Sequence, residues 1–261
     1  MFDPASLLHE CVDIVRRSGD IVREHWEQPP DVRYKGRIDL VTRTDLAVEA
    51  FLKEKLGALL PEAAFLAEES SQEADEPQGL CWIIDPVDGT TNFVHHIPLV
   101  GTSVALWAGG RVELGVVNVP LMGECYSAAR GMGAHCNGLP LAVSTAAALE
   151  NALVGTGFPY DFTGKLERIL ERLQRVLPRA QGVRRMGAAS VDLAYVACGR
   201  LDIFYEEGLK PWDFTAGVLL VEEAGGTASN LDGNPVRFGE TLLATNGRLH
   251  AEALALLAPT R

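Results

Sequence analysis

Apolar residues recur along the chain with two different periods, and each period predicts one kind of element. Spacings of three and four residues are typical of amphipathic helices, which we predict at residues 4–27, 44–60, 165–177, 188–198, 211–224 and 249–257. Alternating or short continuous apolar runs are typical of strands, which we predict at residues 64–67, 80–84, 100–107, 111–119, 124–129, 152–155, 201–205 and 242–244. The polar stretch 34–45 contains a glycine and indicates a hairpin or a mobile loop.

The order of these elements indicates two halves. In residues 1–145, three consecutive strands are separated by short glycine-containing turns, which predicts an antiparallel meander. In residues 146–261, helices and strands alternate, as they do in α/β proteins. We therefore expect an α/β half packed beside an α+β half in one compact unit.

One stretch, Trp82–Phe93, combines an apolar strand with a candidate site. The strand is expected to break at Pro86, and the carboxylates of Asp85 and Asp88 stand three residues apart. The following Gly-Thr-Thr-Asn run predicts a tight turn into the start of a helix. Two carboxylates beside backbone N–H groups are suited to a divalent metal ion and a phosphate group.

Charge narrows the classes of function. The chain has 261 residues with 23 basic and 35 acidic side chains, a net charge of −12. Nucleic-acid-binding proteins usually carry a basic patch, so we expect no nucleic-acid partner. An acidic protein that binds an anionic substrate needs local positive charge, which a bound metal ion would supply.

Cysteine usage and hydropathy bear on the cellular location. The five cysteines are scattered and form no C-x-x-C pair, which disfavours a zinc site or a disulfide framework and favours a reducing cytoplasm. The N-terminus carries charged residues where a signal peptide would be apolar. We find no apolar run of membrane-spanning length, and we expect a cytoplasmic protein without a membrane partner.

Five acids, two in the central loop and three outside it, are candidates for the same site. Asp85 and Asp88 could each be ordinary turn residues, but two uncompensated carboxylates beside an apolar strand would repel each other. Glu68 ends the preceding predicted strand, and it could equally be a solvated loop acid. Asp213 and Asp45 lie in first helical turns, where an acid is already favoured by the helix dipole, and Thr44 or Asp45 could cap its helix.

Other polar residues admit a structural and a functional interpretation. Thr90 and Thr91 could be helix caps, or Thr90 could orient a nucleophilic water. Lys35 and Lys210 could be surface charges or could lean over an anionic site. A covalent aspartyl-phosphate mechanism is disfavoured, because haloacid dehalogenase-type phosphatases use D-x-D-x-T and this chain has D-x-x-D-G-T.

Motifs along nearly the whole chain resemble those of the inositol monophosphatase family of Mg²⁺-dependent phosphomonoesterases. The matching segments are Asp39–Asp45, Ala67–Ser70, Trp82–Pro98, Gly131–Gly138, Gly155–Pro159, Arg185–Ala189, Pro211–Asp213 and Glu223–Gly226. The last four segments, from Gly155–Pro159 onward, have the form usual in bacterial members. The resemblance implies a layered αβαβα sugar-phosphatase fold and a homodimer.

The resemblance also implies roles for individual residues. Two or three Mg²⁺ ions would be held by Glu68, Asp85, the Val87 carbonyl, Asp88 and Asp213. Asp45 and Thr90 would position the attacking water, with Glu68 helping through a metal. The phosphate and polyol of the substrate would contact Asp88, Gly89, Thr90, Gly187, Ala188, Ala189, Glu206 and Asp213. Lys35 would lie on a mobile, metal-responsive loop.

The expected reaction is hydrolysis of a small phosphate ester by a metal-activated water, with myo-inositol 1-phosphate as the expected substrate. Lys210 stands where animal members tend to have His, and Phe158-Pro159 occupies a substrate-contacting segment, so substrate choice is less closely constrained than the metal chemistry. Fructose-1,6-bisphosphatase or broad-range polyol phosphatase activity are alternatives. A regulatory binding protein on the same fold is a further alternative, disfavoured by the complete set of candidate ligands.

Overall fold

The structure, a computed structural model, describes residues 4–29, 31–34, 40–71 and 76–258, without the side chain of Tyr34. The helices are α1 (Pro4–Trp26), α2 (Arg43–Leu59), α3 (Thr90–Val94), α4 (Leu166–Val176), α5 (Ala189–Ala197), α6 (Pro211–Glu223) and α7 (His250–Leu257). The strands are β1 (Val32–Tyr34), β2 (Leu40–Thr42), β3 (Ala64–Ala67), β4 (Cys81–Asp88), β5 (Gly101–Ala108), β6 (Arg111–Val119), β7 (Glu124–Ala129), β8 (Ala134–Cys136), β9 (Leu139–Pro140), β10 (Leu153–Thr156), β11 (Gly182–Arg184), β12 (Ile203–Glu207), β13 (Thr227–Ser229) and β14 (Thr241–Thr245).

The strands form two large sheets and one short ribbon. A seven-stranded sheet has the order β3-β4-β5-β6-β7-β8-β9, and a five-stranded sheet has the order β11-β10-β12-β14-β13. The predicted meander is confirmed, because β5, β6 and β7 pair antiparallel. In the smaller sheet β10 is parallel to both of its neighbours, whereas β14 is antiparallel to β12 and β13. The ribbon pairs β1 with β2 antiparallel.

Alternating side chains of the larger sheet face two different helical layers, because successive residues of a strand point to opposite faces. Trp82 and Ile84 are buried in one cluster with α1 and α2. Ile83, between them, is buried in another cluster with α5 and α6. The larger sheet is therefore covered by helices on both faces.

The smaller sheet is covered in the same way. Phe204 packs with α5 and α6, whereas Ile203 and Tyr205 pack with residues of α4 and α7. Helices α5 and α6 thus lie between the two sheets. The layers run α1/α2, larger sheet, α5/α6, smaller sheet and α4/α7, which confirms the expected αβαβα fold. None of the described helices is long and apolar enough to cross a membrane.

Helices α5 and α6 pack closely against each other and against the larger sheet because glycines lie at these contacts. A Cβ on Gly115 of β6 would lie 2.8 Å from the Ala216 carbonyl oxygen of α6. A Cβ on Gly217 of α6 would lie 2.5 Å from the Cβ of Leu193 on α5. These contacts let the backbones of sheet and helices approach where a larger side chain would force them apart.

The predicted helices are confirmed to within one residue at each end, but three details of the prediction are wrong. Strand β4 does not break at Pro86, since it continues to Asp88 with a register shift between Asp85 and Asp88. The cap of α2 is Thr42 rather than Thr44 or Asp45, because its hydroxyl accepts the N–H of Thr44. Short strands that carry no clear apolar period were missed, namely β8, β9, β11 and β13. The boundary between residues 1–145 and 146–261 stays a prediction.

We predict that Gly115→Ala lowers the free energy of unfolding by about 1–3 kcal/mol, because overpacking a close helix–sheet contact forces the backbone to shift. Urea denaturation measures the change. Gly57→Ala in α2 is the matched control, since a Cβ at this position would make only an ordinary contact with the Phe65 ring, at 3.6 Å. That control is expected to be stabilising by up to about 1 kcal/mol. Equal effects of the two substitutions would contradict the packing argument.

Candidate functional site

The end of β4 places two acids and a carbonyl at the candidate site. The register shift between Asp85 and Asp88 turns the strand locally away from regular pairing. The Oδ1 atom of Asp85 accepts the N–H of Val87 at 3.0 Å, and Thr102 Oγ1 donates to the Pro86 carbonyl at 3.0 Å. Hydrogen bonds that involve side chains, rather than a regular ladder between backbones, therefore hold the irregular segment.

Gly89 makes the turn from β4 into α3. Its φ of 91° lies in the left-handed region, which favours glycine. A Cβ at this position would also lie 3.0 Å from the Leu99 carbonyl oxygen and 3.2 Å from the Cβ of Ala188. Both the conformation and the lack of space require glycine, and helix α3 begins at the next residue as the sequence predicted.

Asp45 is fully buried and reaches the site through Thr90. It is the third residue of α2, and its Oδ2 atom accepts both the N–H and the hydroxyl of Thr42, at 2.9 and 2.5 Å. Its Oδ1 atom lies 3.1 Å from the hydroxyl of Thr90, which lies at the same distance from the Val87 carbonyl. Burial raises the pKa of Asp45, although these hydrogen bonds oppose the shift.

Asp88 connects the larger sheet to the middle layer. Its Oδ2 atom accepts the N–H and the hydroxyl of Ser190, at 2.7 and 2.6 Å, from the middle layer. Burial raises the pKa of Asp88 to about 6, and the bonds from Ser190 act in the opposite direction. An acid from the larger sheet is therefore fixed by a helix that also packs on the smaller sheet.

Asp213 enters from α6. It is the third residue of that helix, and its Oδ2 atom accepts the N–H of Lys210 at 2.7 Å, which completes a helix cap. Burial raises the pKa of Asp213 well above its usual range, and the negative charge of Asp88 raises it further. The structural role of this acid as a cap thus coexists with its position beside the other acids.

Burial and repulsion between neighbouring acids act together in this cluster. The pKa of Asp85 is raised well above its usual range, first by burial and then by the negative charges of Glu68, Asp88, Asp213 and Asp45. These five acids are therefore close enough to influence one another, as the sequence predicted. Their carboxylates come from α2, β4, α6 and the segment after β3.

The chemistry of the donors fits a hard divalent cation. Six acidic residues and no His or Cys are among the described residues that line the cavity, and carboxylate oxygens are donors that Mg²⁺ and Ca²⁺ prefer. Within the described ranges, no three acidic, His or Cys side chains converge as a ready-made set of ligands.

The acids surround one end of a cavity of about 330 Å³. The expected site residues that line it are Glu68, Asp85, Val87, Asp88, Gly89, Thr90, Gly187, Ala188, Ala189, Glu206, Lys210 and Asp213. Asp45 does not line it and contacts it only through Thr90. Lys35 lies outside the described residues.

Two charged residues at the cavity had no assigned role in the sequence. Arg185 lines it, with its guanidinium 6.0 Å from the centre of the Phe158 ring. Asp192 of α5 lines it as well and is 1% exposed. An acid inside the otherwise apolar helical pattern of residues 188–198 was the signal that could have identified Asp192.

Comparisons with known proteins agree with the fold. The model of the inositol monophosphatase family matches residues 3–260. An inositol-1-monophosphatase of Synechocystis sp. is 40% identical over 265 residues, which cover 100% of this chain and 92% of that protein. The protein named Nus factor SuhB of Escherichia coli (strain K12) is 39% identical over 229 residues, or 87% of this chain and 86% of that protein. The crystal structure of extragenic suppressor protein suhB from Bartonella henselae has a TM-score of 0.92 and 33% identity, and the match covers 98% of this chain and 100% of that one.

We predict that Asp85→Asn stabilises the metal-free protein by about 1 kcal/mol at mildly alkaline pH, where the neighbouring acids are charged, because it removes one repelling charge. The asparagine Oδ1 can still accept the N–H of Val87. Addition of Mg²⁺ should then raise the melting temperature of the wild type more than that of the variant. Thermal unfolding with and without Mg²⁺ measures both effects.

Asp202→Asn is the matched control, because this acid is also buried but accepts the N–H of Leu153 outside the cavity. The control should be destabilised and should respond to Mg²⁺ as the wild type does. A loss of metal-free stability in Asp85→Asn would contradict the repulsion argument.

Proposed function

The chain belongs to the inositol monophosphatase family and is a phosphatase, and from that premise we propose that it hydrolyses a small polyol phosphate with the help of divalent metal ions. The preferred substrate in this proposal is myo-inositol 1-phosphate, and the metal is Mg²⁺. Water attacks the phosphorus directly, without a covalent enzyme intermediate.

The observation that carries the proposal is that acids from both halves line one cavity. Asp85 and Asp88 come from the larger sheet, and Asp213 comes from the middle layer. Burial raises the pKa values of all three, the charges of neighbouring acids raise those of Asp85 and Asp213 further, and both effects oppose folding. A cluster with this cost is expected where a cation is bound during function.

Mg²⁺ would be held by Glu68, Asp85, the Val87 carbonyl, Asp88 and Asp213. When bound, it supplies positive charge at the phosphoryl group, acidifies a nearby water and stabilises the departing alkoxide. All of these proposed ligands are oxygen atoms, and Cys and His are absent from the described lining of the cavity. Both facts support this choice of metal. The number of ions, two or three, stays a prediction.

Thr90 and Asp45 would orient the attacking water and accept its proton. The Thr90 hydroxyl lies 3.1 Å from Asp45 Oδ1, so it can pass one proton on as it accepts another. Burial raises the pKa of Asp45, which makes this carboxylate a better base. Attack forms a new P–O bond to water while the P–O bond to the polyol breaks, and the polyol oxygen takes up a proton.

The two ends of the cavity would bind different parts of the substrate. The reaction end would bind the phosphate, and the substrate end would bind the polyol. Gly89 and Thr90 would contact the phosphate beside Asp88 and Asp213. Gly187, Ala188, Ala189 and Glu206 would contact the polyol. Both groups of residues line the same cavity of about 330 Å³, which supports a substrate of the size of an inositol phosphate.

Other expectations remain part of this proposal. Fructose 1,6-bisphosphate or a broad range of polyol phosphates are the alternative substrates. A homodimer, a cytoplasmic location and the absence of nucleic-acid partners are likewise proposed. The name of the relative Nus factor SuhB does not describe a phosphatase. A binding role for this chain, however, would not account for the cluster of acids in its cavity.

We predict Mg²⁺-dependent phosphate release from myo-inositol 1-phosphate at a higher kcat/KM than from fructose 1,6-bisphosphate or adenosine 3′,5′-bisphosphate. Asp88→Asn should lower kcat by at least about 10²- to 10³-fold, a loss typical of removing one electrostatic stabiliser of a transition state. Asp20→Asn is the control, because this acid is exposed on α1. Full activity in excess chelator, or near-normal turnover by Asp88→Asn, would contradict the metal-dependent reaction.

We further predict that Thr90→Ala lowers kcat by about 10²-fold with a smaller change in KM, because it removes the hydroxyl that joins the water to Asp45. Thr90→Ser keeps the hydroxyl and should retain most of the activity. Steady-state kinetics of the two variants measure the difference. Equal losses in both would show that the methyl group of Thr90, rather than its hydroxyl, is what the site requires.

A further inference from the structure

Asp192 is a buried acid that the proposed mechanism does not use. It lies in α5, is 1% exposed, and lines the cavity at the substrate end. Its Oδ1 atom is buried and has no hydrogen-bond partner within the described part of the chain. Leaving a buried polar atom without a partner is costly, and in this case the unpartnered atom belongs to a side chain that faces a cavity.

The backbone opposite Asp192 is shaped to admit carboxyl groups. A Cβ on Gly155 of β10 would lie 3.1 Å from Asp192 Oδ1. A Cβ on Gly157, two residues further along, would overlap the carboxylate of Glu206. Residues two apart on an extended chain face the same side, so this Gly-x-Gly segment leaves room for two carboxyl groups side by side.

Three charged residues from the surrounding elements act on Asp192. Glu206 of β12 and Asp88 of β4 raise the pKa of Asp192 in addition to burial, whereas Arg185 lowers it. Arg185 lines the same cavity and acts in the same direction on Glu206, whose pKa burial raises to about 8. The substrate end therefore presents two acids and one cation, a set that can accept from and donate to hydroxyl groups.

We propose that Asp192 is a specificity-determining residue whose carboxylate, which has no hydrogen-bond partner at Oδ1 among the described residues, accepts a hydrogen bond from a hydroxyl of the substrate's polyol group. This inference rests on the proposed function and adds to it the chemical class that the site selects, which is phosphate esters of polyhydroxylated rings or chains. A ring without hydroxyls would leave Asp192 unpartnered in the complex, and such a site discriminates strongly against it.

The test compares two substrates that differ only in hydroxyl groups, myo-inositol 1-phosphate and cyclohexyl phosphate, in the presence of Mg²⁺. In Asp192→Ala, kcat/KM for inositol 1-phosphate should fall about 10- to 100-fold, the range expected for a hydrogen bond to a charged group. The value for cyclohexyl phosphate should change less than about threefold, since that ring makes no such bond. Asp192→Asn keeps an acceptor oxygen in the same shape and should lie between the wild type and Asp192→Ala.

Asp202→Asn is again the matched control. Asp202 is buried in the same half, but its carboxylate accepts from Leu153 N–H and Ser144 Oγ outside the cavity. This variant should be less stable than the wild type while the ratio of kcat/KM for the two substrates stays the same. It therefore separates a loss of stability from a loss of specificity.

Each outcome decides between the interpretations. Equal losses on both substrates in Asp192→Asn, or an unchanged substrate ratio in an active variant, would overturn the assignment of Asp192 while leaving the proposed function intact. A wild type that releases no phosphate from inositol 1-phosphate would overturn both. Should Asp192→Ala not fold, the isosteric Asp192→Asn gives the same comparison.

Discussion

The burial of several carboxylates close together is the constraint on which the rest of this structure depends. Asp45, Asp85, Asp88 and Asp213 occupy one small region, and burial raises the pKa of each. Each is held by donors close to it in the chain or in the next layer, which are Thr42, Val87, Ser190 and Lys210. These bonds offset part of the desolvation cost, and the packed layers around them must supply the remainder of the stability.

The middle layer is what makes this arrangement possible. Helices α5 and α6 contact both sheets, so an acid at the start of α6 and a serine in α5 can meet an acid at the end of β4. Close approach is required, since a Cβ on Gly101 of β5 would lie 2.7 Å from Ser190 Oγ. Ser103 Oγ also donates to the Trp212 carbonyl at 3.0 Å, next to Asp213. Packing between layers and the geometry of the cluster are therefore the same set of contacts.

The sequence was sufficient where local patterns determine the result and insufficient where long-range contacts do. The helices were predicted to within one residue, because their apolar periods and terminal residues are local signals. Pro86 was expected to end β4, but a register shift removes the need for its missing N–H in the ladder. The family motifs indicated the acids of the candidate site, and their roles stay predictions. Arg185 and Asp192 were not assigned, because their significance depends on what faces them across the cavity.

The two ends of the cavity differ in how strongly the fold constrains them. At the reaction end, the acids are also structural: Asp45 and Asp213 complete helix caps, and Asp88 joins two layers. Replacing one of them changes the scaffold as well as the chemistry. At the substrate end, Asp192 Oδ1 makes no hydrogen bond with the described residues, so its presence adds little to the stability of the fold. A position that the scaffold does not need can change with little cost to the fold.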